Sequence, residues 1–473
     1  MDKIPPSRTV NYKKLRTVDT IIILGIDIGT SGVRGCIVKK KTIASRVTET
    51  IICEETVEMP SATKGMDNSI SQDASIWINA VNQLFIVLAK NFKLDAITHL
   101  VLDATSSTVL LTDQTGKALS KALMYNDAQS VNYAKKISEK IKHSKEFSGA
   151  QGASSTLSKV MTLLDQNKDI SRPVISHQID FINHYLCGVI NITDENNALK
   201  LGYNSIHQAW PSWVKSMIKA KNNNVQLPNV VKPGSLLGTI LPDIAKQFGF
   251  KKNLKVMAGT TDSIAGFLAA GATELGDAVS SLGSTLAIKA ISKKPIFNNE
   301  YGLYSHKLGD FWLVGGASNS GGRVILDYYT VDELKELNSR ISVQQIEQYL
   351  KIDSAIFYPL REVGERFPIA DSNLTPVMPQ KPTCHFSQIK DSNTCLQQHA
   401  LFLLNLLLGI THIEKLAYSK LTELGLVEIK RIFTVGGGTK NQIWMQLRKQ
   451  QLNAKLSIAQ HPQAAYGVTK LIE

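Results

Sequence analysis

Thr20-Ile21-Ile22-Ile23-Leu24-Gly25-Ile26-Asp27-Ile28-Gly29-Thr30-Ser31-Gly32 opens with a run of β-branched and apolar residues, the composition of a buried strand. It then breaks into Asp-Ile-Gly-Thr-Ser-Gly, and Val33 to Val38 resumes the apolar pattern. Strand, glycine-rich turn and strand together read as a β-hairpin. Glycines in such a turn let backbone N–H groups approach an anion, and the hydroxyls of Thr30 and Ser31 add donors. The carboxylate of Asp27 can hold Mg²⁺ through water. A plain hairpin turn with a local Asx bond accounts for the same residues, so both readings stand at this point.

Outward from the hairpin, strands and helices alternate. Ile76 to Leu88 has helical periodicity, and Ile97 to Leu102 reads as a strand ending at Asp103. Val109 to Leu111 begins another strand, which turns at Asp113-Gln114-Thr115-Gly116. Lys255 to Ala258 is a short strand, followed by Gly259-Thr260-Thr261-Asp262-Ser263 and an Ala/Gly-rich helix from Ile264 to Ala272. Ala278 to Leu282 and Leu286 to Ile291 flank a tight turn, Gly283-Ser284-Thr285. Phe311 to Val314 and Ile432 to Val435 are later strands, the second ending in Gly436-Gly437-Gly438. Between them His399 to Leu424 reads as a long helix capped by Gly425. Ser372 to Ser392 is polar and proline-containing, a surface loop. The alternation argues for α/β architecture. The turn at Gly283 echoes the one at Gly29, 254 positions earlier, as if two related domains faced each other.

Asp262 falls where a strand ends and a helix begins. The helix N-terminus favours an ionised carboxylate, which can take a proton from an alcohol attacking a phosphoryl group. A simple N-cap explains the same placement. Gly283, Ser284 and Thr285 suit the second side of a polyphosphate. Gly437 and Gly438, with Asn441 and Trp444 behind them, suit a nucleoside pocket in which the indole stacks and the amide both donates and accepts. A strand–helix turn with a core Trp fits equally. The sequence holds no G-x-x-x-x-G-K-[ST] and no H-x-x-x-H or H-E-x-x-H, which sets aside a P-loop enzyme and a His-based zinc site.

Composition bounds the rest. The 473 residues allow two or three domains, and 43% hydrophobic with 20% charged residues excludes wholesale disorder and fibrous repeats. A net charge of +13 favours anionic small partners, but the basic residues are scattered. Lys39-Lys40-Lys41 and the group Lys135, Lys136, Lys140 and Lys142 read as solvated faces, and no basic stripe interleaved with aromatics supports nucleic-acid binding. The five cysteines form no C-x-x-C and read as reduced thiols of a cytoplasmic protein without a Cys-based zinc site. No apolar run reaches the ~18–20 residues of a membrane span, and Leu401 to Ile410 reads as a buried helix. Residues 1–20 lack the apolar core of a secretory signal and read as a flexible leader.

Taken in order, these pieces resemble the FGGY carbohydrate kinases of the actin-like, sugar-kinase superfamily. The resemblance runs from about Ile22 to the C-terminus. It rests on Gly25–Ser31, Asp103-Ala104-Thr105-Ser106, Ala258–Ala265, Ser281–Thr285, Gly315-Gly316-Ala317-Ser318-Asn319 and Gly436–Asn441. It implies an α/β fold of two ribonuclease-H-like domains with a cleft between them. Residues 21–269 would bind the sugar, rejoined by a C-terminal helix at 463–473, and residues 270–462 would bind the nucleotide. It further implies Asp262 as catalytic base. Asp27 is catalytic too, touching the sugar and a water-bound Mg²⁺, and Ser106 is a sugar contact. Gly29, Thr30, Ser31, Gly283, Ser284 and Thr285 would lie about the phosphates of ATP, with Gly437, Gly438, Asn441 and Trp444 about adenosine.

Asn197–Tyr203, Tyr304–Gly309 and Gly364–Asp371 look like the cyanobacterial and plant D-ribulose kinase branch. That resemblance implies conversion of D-ribulose to D-ribulose 5-phosphate with sugar and ATP as small-molecule partners; neither nucleic acid nor membrane is expected as a partner, and the oligomeric state is left open. Many FGGY kinases carry Trp-x-Asp-x-Arg where this chain has Met124-Tyr125-Asn126-Asp127-Ala128-Gln129. The branch's Asp-Gly-Thr-Ser-Gly is Asp103-Ala104-Thr105-Ser106-Ser107 here. The alternatives are a xylulose or other polyol kinase of the family, a nucleotide-binding protein without kinase activity, and an actin-like or chaperone-like ATPase.

Overall fold

The β-branched runs become two mixed sheets of the same plan. The computed structural model describes residues 18–43, 46–144, 147–351 and 356–472. The first sheet is built from β1 (Val18–Ile28), β2 (Gly32–Ile43), β3 (Arg46–Glu58), β4 (His99–Ala104), β5 (Leu236–Thr239) and β6 (Lys255–Thr261). Its order is β5-β6-β4-β1-β2-β3. The second holds β7 (Asp277–Leu282), β8 (Leu286–Ser292), β9 (Tyr304–Leu308), β10 (Phe311–Ala317), β11 (Arg431–Val435) and β12 (Lys455–Ile458), in the order β9-β10-β8-β7-β11-β12. In each, a central strand pairs antiparallel with the strand after it and parallel with one that arrives much later. The two Gly-rich hairpins, β1–β2 and β7–β8, therefore hold equivalent places. A parallel pair needs a crossover, which supplies the helices between strands. Ligand-binding loops of such sheets gather at the carboxyl ends of the parallel strands.

Helix α1 (Ser75–Asn91) buries Trp77, Val81, Leu84 and Leu88, one helical face, against the first sheet. Helix α2 (Asp262–Ala269) follows β6 directly. Beyond the second sheet lie α3 (Asn393–Glu423) and α4 (Gln442–Gln451). The last helix, α5 (Ala464–Val468), returns to the first sheet and packs on α2 and β1. It lies so close that a Cβ on Gly467 would stand 1.8 Å from the Ala265 carbonyl oxygen.

Two readings are corrected here, those of the cysteines and of Lys40, and the buried helix is borne out. Cys384 and Cys395 form a disulfide between the 372–392 segment and the first turn of α3, leaving Cys36, Cys53 and Cys187 as free thiols. The two partners stand only 11 positions apart, and the helix start brings them together. Helix α3, at 31 residues, is long and apolar enough to cross a membrane, because helical phase adds residues beyond the continuous apolar run. Two-thirds of that window (67%) is buried inside the protein, so α3 is the core helix of the second unit. Lys40 is not on a solvated face. It is 6% exposed, pairs with Glu49 at 3.2 Å and donates to the Ile472 carbonyl at 2.6 Å. Of the expected leader, residues 1–17 lie outside the described residues, and 18–20 belong to β1.

A buried ion pair knits the second unit together. Arg448 on α4 meets Glu414 on α3 through two hydrogen bonds of 2.7 Å each. Arg448 also donates to Thr434 of β11 at 2.8 Å, and the Ser280 hydroxyl of β7 donates to Glu414 at 2.5 Å. Both strands that lead into the glycine loops are thereby fixed to the same pair.

Candidate active site

Asp27, Asp103 and Asp262 come from the carboxyl ends of β1, β4 and β6, three neighbouring parallel strands. Asp27 lies beside Asp103 in the β1–β4 register, and Thr260 beside Asp103 in the β4–β6 register. The hairpin register also sets Arg34 opposite Asp27, where its guanidinium reaches the carboxylate at 3.0 Å. Asp103 is fully buried and neither carboxylate oxygen has a partner among the described residues. Burial, then the charges of Asp27 and Asp262, hold its pKa well above the usual carboxylate range.

Asp262 is the first residue of α2, and its Oδ1 accepts from the Ser263 N–H at 2.7 Å. Burial raises its pKa, aided by the Asp27 charge, while the Ser263 N–H, Lys289 and Lys200 pull the other way. Lys289 is itself brought down to about 8 by burial and the Lys200 charge, against the pull of Asp262. Asp262 lines a cleft of about 460 Å³ between the two units, with Ser106, Tyr125, Lys200, Lys289 and His306 among its walls. The Ser106 hydroxyl has no partner among the described residues. Ser107 next to it takes φ 73°, so the turn keeps a glycine-like conformation although a side chain is present. Asp127 is buried and turned inward, accepting from the Ile70 N–H at 2.7 Å and Gln129 at 2.8 Å. Tyr125 alone of that segment lines the cleft.

The glycine loops meet in part. Gly436, at φ 94°, lies against Leu282, the residue before Gly283, so the Gly283-Ser284-Thr285 and Gly436-Gly437-Gly438 turns are neighbours. Ser284 and Thr285 are exposed, as are Thr30 and Ser31 on the facing sheet. A Cβ on Gly437 would meet nothing within 4 Å, which leaves its backbone approachable. Trp444 is corrected: it is 1% exposed, packed in the core of the second unit under Gly438, and offers no face for stacking. Asn441 is 9% exposed and its Oδ1 caps α4 through the Trp444 N–H at 2.9 Å. Of the expected site residues, the cleft itself gathers Asp262 and Ser106.

Sequence reading gave no role to Arg34, Asp103, Lys200 or Lys289, although Asp103 and Lys200 lie in stretches that carry the resemblance. For Arg34 the signal was available, since a two-strand hairpin turning at Gly29–Gly32 sets residue 34 across from residue 27. For Lys289 only the fold brings β8 to face α2.

The two sheets and the cleft between them make a two-domain α/β fold of the sugar-kinase type. Residues 22–269 match the FGGY family of carbohydrate kinases, N-terminal domain, and residues 278–471 match its C-terminal domain. The chain therefore belongs to the FGGY family of carbohydrate kinases, enzymes that transfer a phosphoryl group to an alcohol. It is 21% identical to xylulose kinase of Bacillus subtilis, over 92% of this chain and 84% of that one. It is also 21% identical to gluconokinase of the same organism, over 90% and 82%. Among solved structures, xylulose kinase from Rhodospirillum rubrum superposes with a TM-score of 0.74 at 17% identity, covering 96% of this chain and 89% of that one. Plasmodium falciparum glycerol kinase with ADP superposes with a TM-score of 0.73 at 16% identity, covering 96% and 89%.

Proposed function

We propose that this kinase phosphorylates a ketopentose at its terminal hydroxyl with ATP, converting D-ribulose to D-ribulose 5-phosphate. The observation that carries the reading is the placement of Asp262 at the head of α2, in one cleft with the unpartnered hydroxyl of Ser106. Asp262 takes the proton of the attacking hydroxyl. Ser106 and Asp27 orient the sugar. The neighbouring turns at 283–285 and 436–438 receive the nucleotide, and Thr30 and Ser31 meet its phosphates from the other side. The carboxylate of Asp27 is a hard oxygen donor of the kind Mg²⁺ prefers, and Asp103 beside it has neither oxygen partnered among the described residues. Asp27 would hold the ion through water, and the ion when bound neutralises β/γ-phosphate charge. A cytoplasmic setting belongs to the same proposal, because the reaction consumes ATP.

The choice of D-ribulose is supported by the resemblance of Asn197–Tyr203 and Gly364–Asp371, and by Tyr125 entering the cleft from a segment, Met124–Gln129, that holds no Trp or Arg. D-Xylulose is the second reading, favoured by the relatives named xylulose kinase. A coupled ADP-release assay over ketoses, polyols and aldonates tests both. One misplaced hydroxyl leaves a buried polar group unpaired at ~1–3 kcal/mol, a ~5- to 150-fold loss in kcat/KM. D-Ribulose is expected to lead D-xylulose, glycerol and gluconate by such a margin. Equal or better kcat/KM for any of these overturns the D-ribulose assignment.

A further inference from the structure

Lys200 takes no part in the steps above, yet its surroundings are built. It lies in a single 3-10 turn, Leu199–Leu201, that follows the short helix Glu195–Ala198 and closes at Gly202. The short helix is fixed from three sides. Asp194 caps it, accepting from the N–H groups of Asn196 at 2.9 Å and Asn197 at 3.1 Å. Asn196 donates through Nδ2 to Thr260 Oγ1 at 3.0 Å, two residues before Asp262. Its Oδ1 accepts from the Lys307 N–H at 3.1 Å, on β9 of the facing unit. The turn that carries Lys200 is thus held both to the strand of the base and to the nucleotide-side sheet.

The ammonium of Lys200 has no hydrogen bond or ion pair among the described residues. Of the other cations nearby, Arg34 is committed to Asp27 at 3.0 Å and Lys289 to the Ser263 carbonyl at 2.6 Å, while Arg366, also on the cleft wall, is exposed to solvent. Lys200 lines the main cleft and also an adjoining pocket of about 260 Å³ with Ser148, Ser154, Ser155, Asn299 and Tyr304. The Asp262 charge acts on this half-buried ammonium without a direct ion pair, which leaves its donors available to an anion that a ligand supplies. A ketose brings no charge. The anion that must cross this cleft, beside Asp262, is the phosphoryl group itself.

We propose that Lys200 is a catalytic cation that pairs with the phosphoryl group during transfer and then holds the phosphate of the product. In that step the bond from the γ-phosphorus to the bridging oxygen of ADP breaks and a bond to the sugar oxygen forms. The hydroxyl proton passes to Asp262, and ADP leaves with the electron pair. The proposal rests on Asp262 as the base and not on which ketose is accepted.

The test is Lys200→Met, assayed with the best acceptor of the panel, beside Lys200→Arg and Asp262→Asn. A preorganised donor to a developing charge is worth ~10²–10³ in rate. Lys200→Met is expected to lose kcat by that factor with the sugar KM within about threefold, and Lys200→Arg to recover most of it. Calorimetric titration should show the product sugar phosphate bound at least tenfold more weakly by Lys200→Met, with ATP and the free sugar unchanged. A kcat within threefold of wild type overturns the proposal, and so does a loss confined to the sugar KM. Should Lys200→Met melt at a much lower temperature, Lys200→Gln carries the same comparison. If Asp262→Asn keeps its turnover, the base assignment falls, and the product titration still decides Lys200 separately.

Discussion

Replacing Gly259 with alanine is expected to silence this kinase from inside its sheet. Gly259 lies on β6 where the pairing with β4 loses register between Met257 and Thr260. An added Cβ would stand 1.6 Å from the Leu102 carbonyl oxygen and 2.8 Å from the Leu102 carbonyl carbon. Ordinary contact begins near 3.4 Å, so the two strands must part by roughly 1.8 Å. Both partners are backbone, and no rotamer change relieves the clash. Leu102 precedes Asp103, and Asp262 is three residues beyond Gly259, so the displacement runs into both carboxylates. Overpacking of this kind costs ~1–3 kcal/mol of stability, and moving a reacting group by ~1 Å costs ~10² in rate. The coupled assay should therefore show kcat down by ~10² or more. ATP affinity, measured by calorimetry, should largely hold, because the turns at 283–285 and 436–438 belong to the other sheet and the Gly29–Ser31 turn lies at the end of a different strand. Gly266→Ala on α2 is the control: its Cβ would meet nothing within 4 Å, and alanine in a helix gains ~1 kcal/mol over glycine. A Gly259→Ala enzyme with kcat within threefold of wild type would refute the claim that this contact fixes the position of Asp262.

Other outcomes follow from single residues. Trp444→Ala should lose ~3–5 kcal/mol of stability in a urea melt while the folded protein binds ATP as before; weakened ATP binding at unchanged stability would restore the stacking role. Asp262→Asn should lower kcat by ~10²–10⁴ with nucleotide affinity kept, and a kcat within a few-fold would remove it as base. Because the base must be ionised, and burial raises the Asp262 pKa, kcat/KM should fall with decreasing pH at a higher pH than the ~3.9 of a free Asp allows. Lys289→Met removes a charge that favours the ionised form and should move that acid limb further up; a downward move contradicts the electrostatics of the cleft. Cys395→Ser opens a cross-link between residues 11 positions apart and should cost ~3 kcal/mol by loop entropy, with kcat nearly unchanged. No change in the urea midpoint would show that the bridge does not stabilise the native state.

Part of the candidate cleft was legible in local sequence. Asp262 needed only a strand, an Asp and a helix in succession, and β6 and α2 provide them. The Gly29 and Gly283 hairpins were legible because each turn sits between two apolar runs, and the sheets give them equivalent places. Trp444 shows the limit. A Trp three residues past Asn441 on α4 looks the same in sequence whether it faces a ligand or the core, and the packing of α4 against α3 decided for the core. Lys40 failed for the same reason, since a lysine between two lysines gives no sign that Glu49 and the backbone carbonyl of Ile472 enclose it.

Sequence alone determined the α/β class, the order of the elements and the loops that carry glycine, because strand, turn and helix-start signals act over a few neighbouring residues. Tertiary structure decided what stands face to face. It placed the orphan carboxylate of Asp103 between Asp27 and Asp262, brought Lys200 and Lys289 to the same cleft, joined Cys384 to Cys395, and returned α5 to the first sheet. Charges and orphaned hydrogen-bonding groups gain their meaning from the dielectric and the partners around them, and these are set by contacts between residues far apart in the chain.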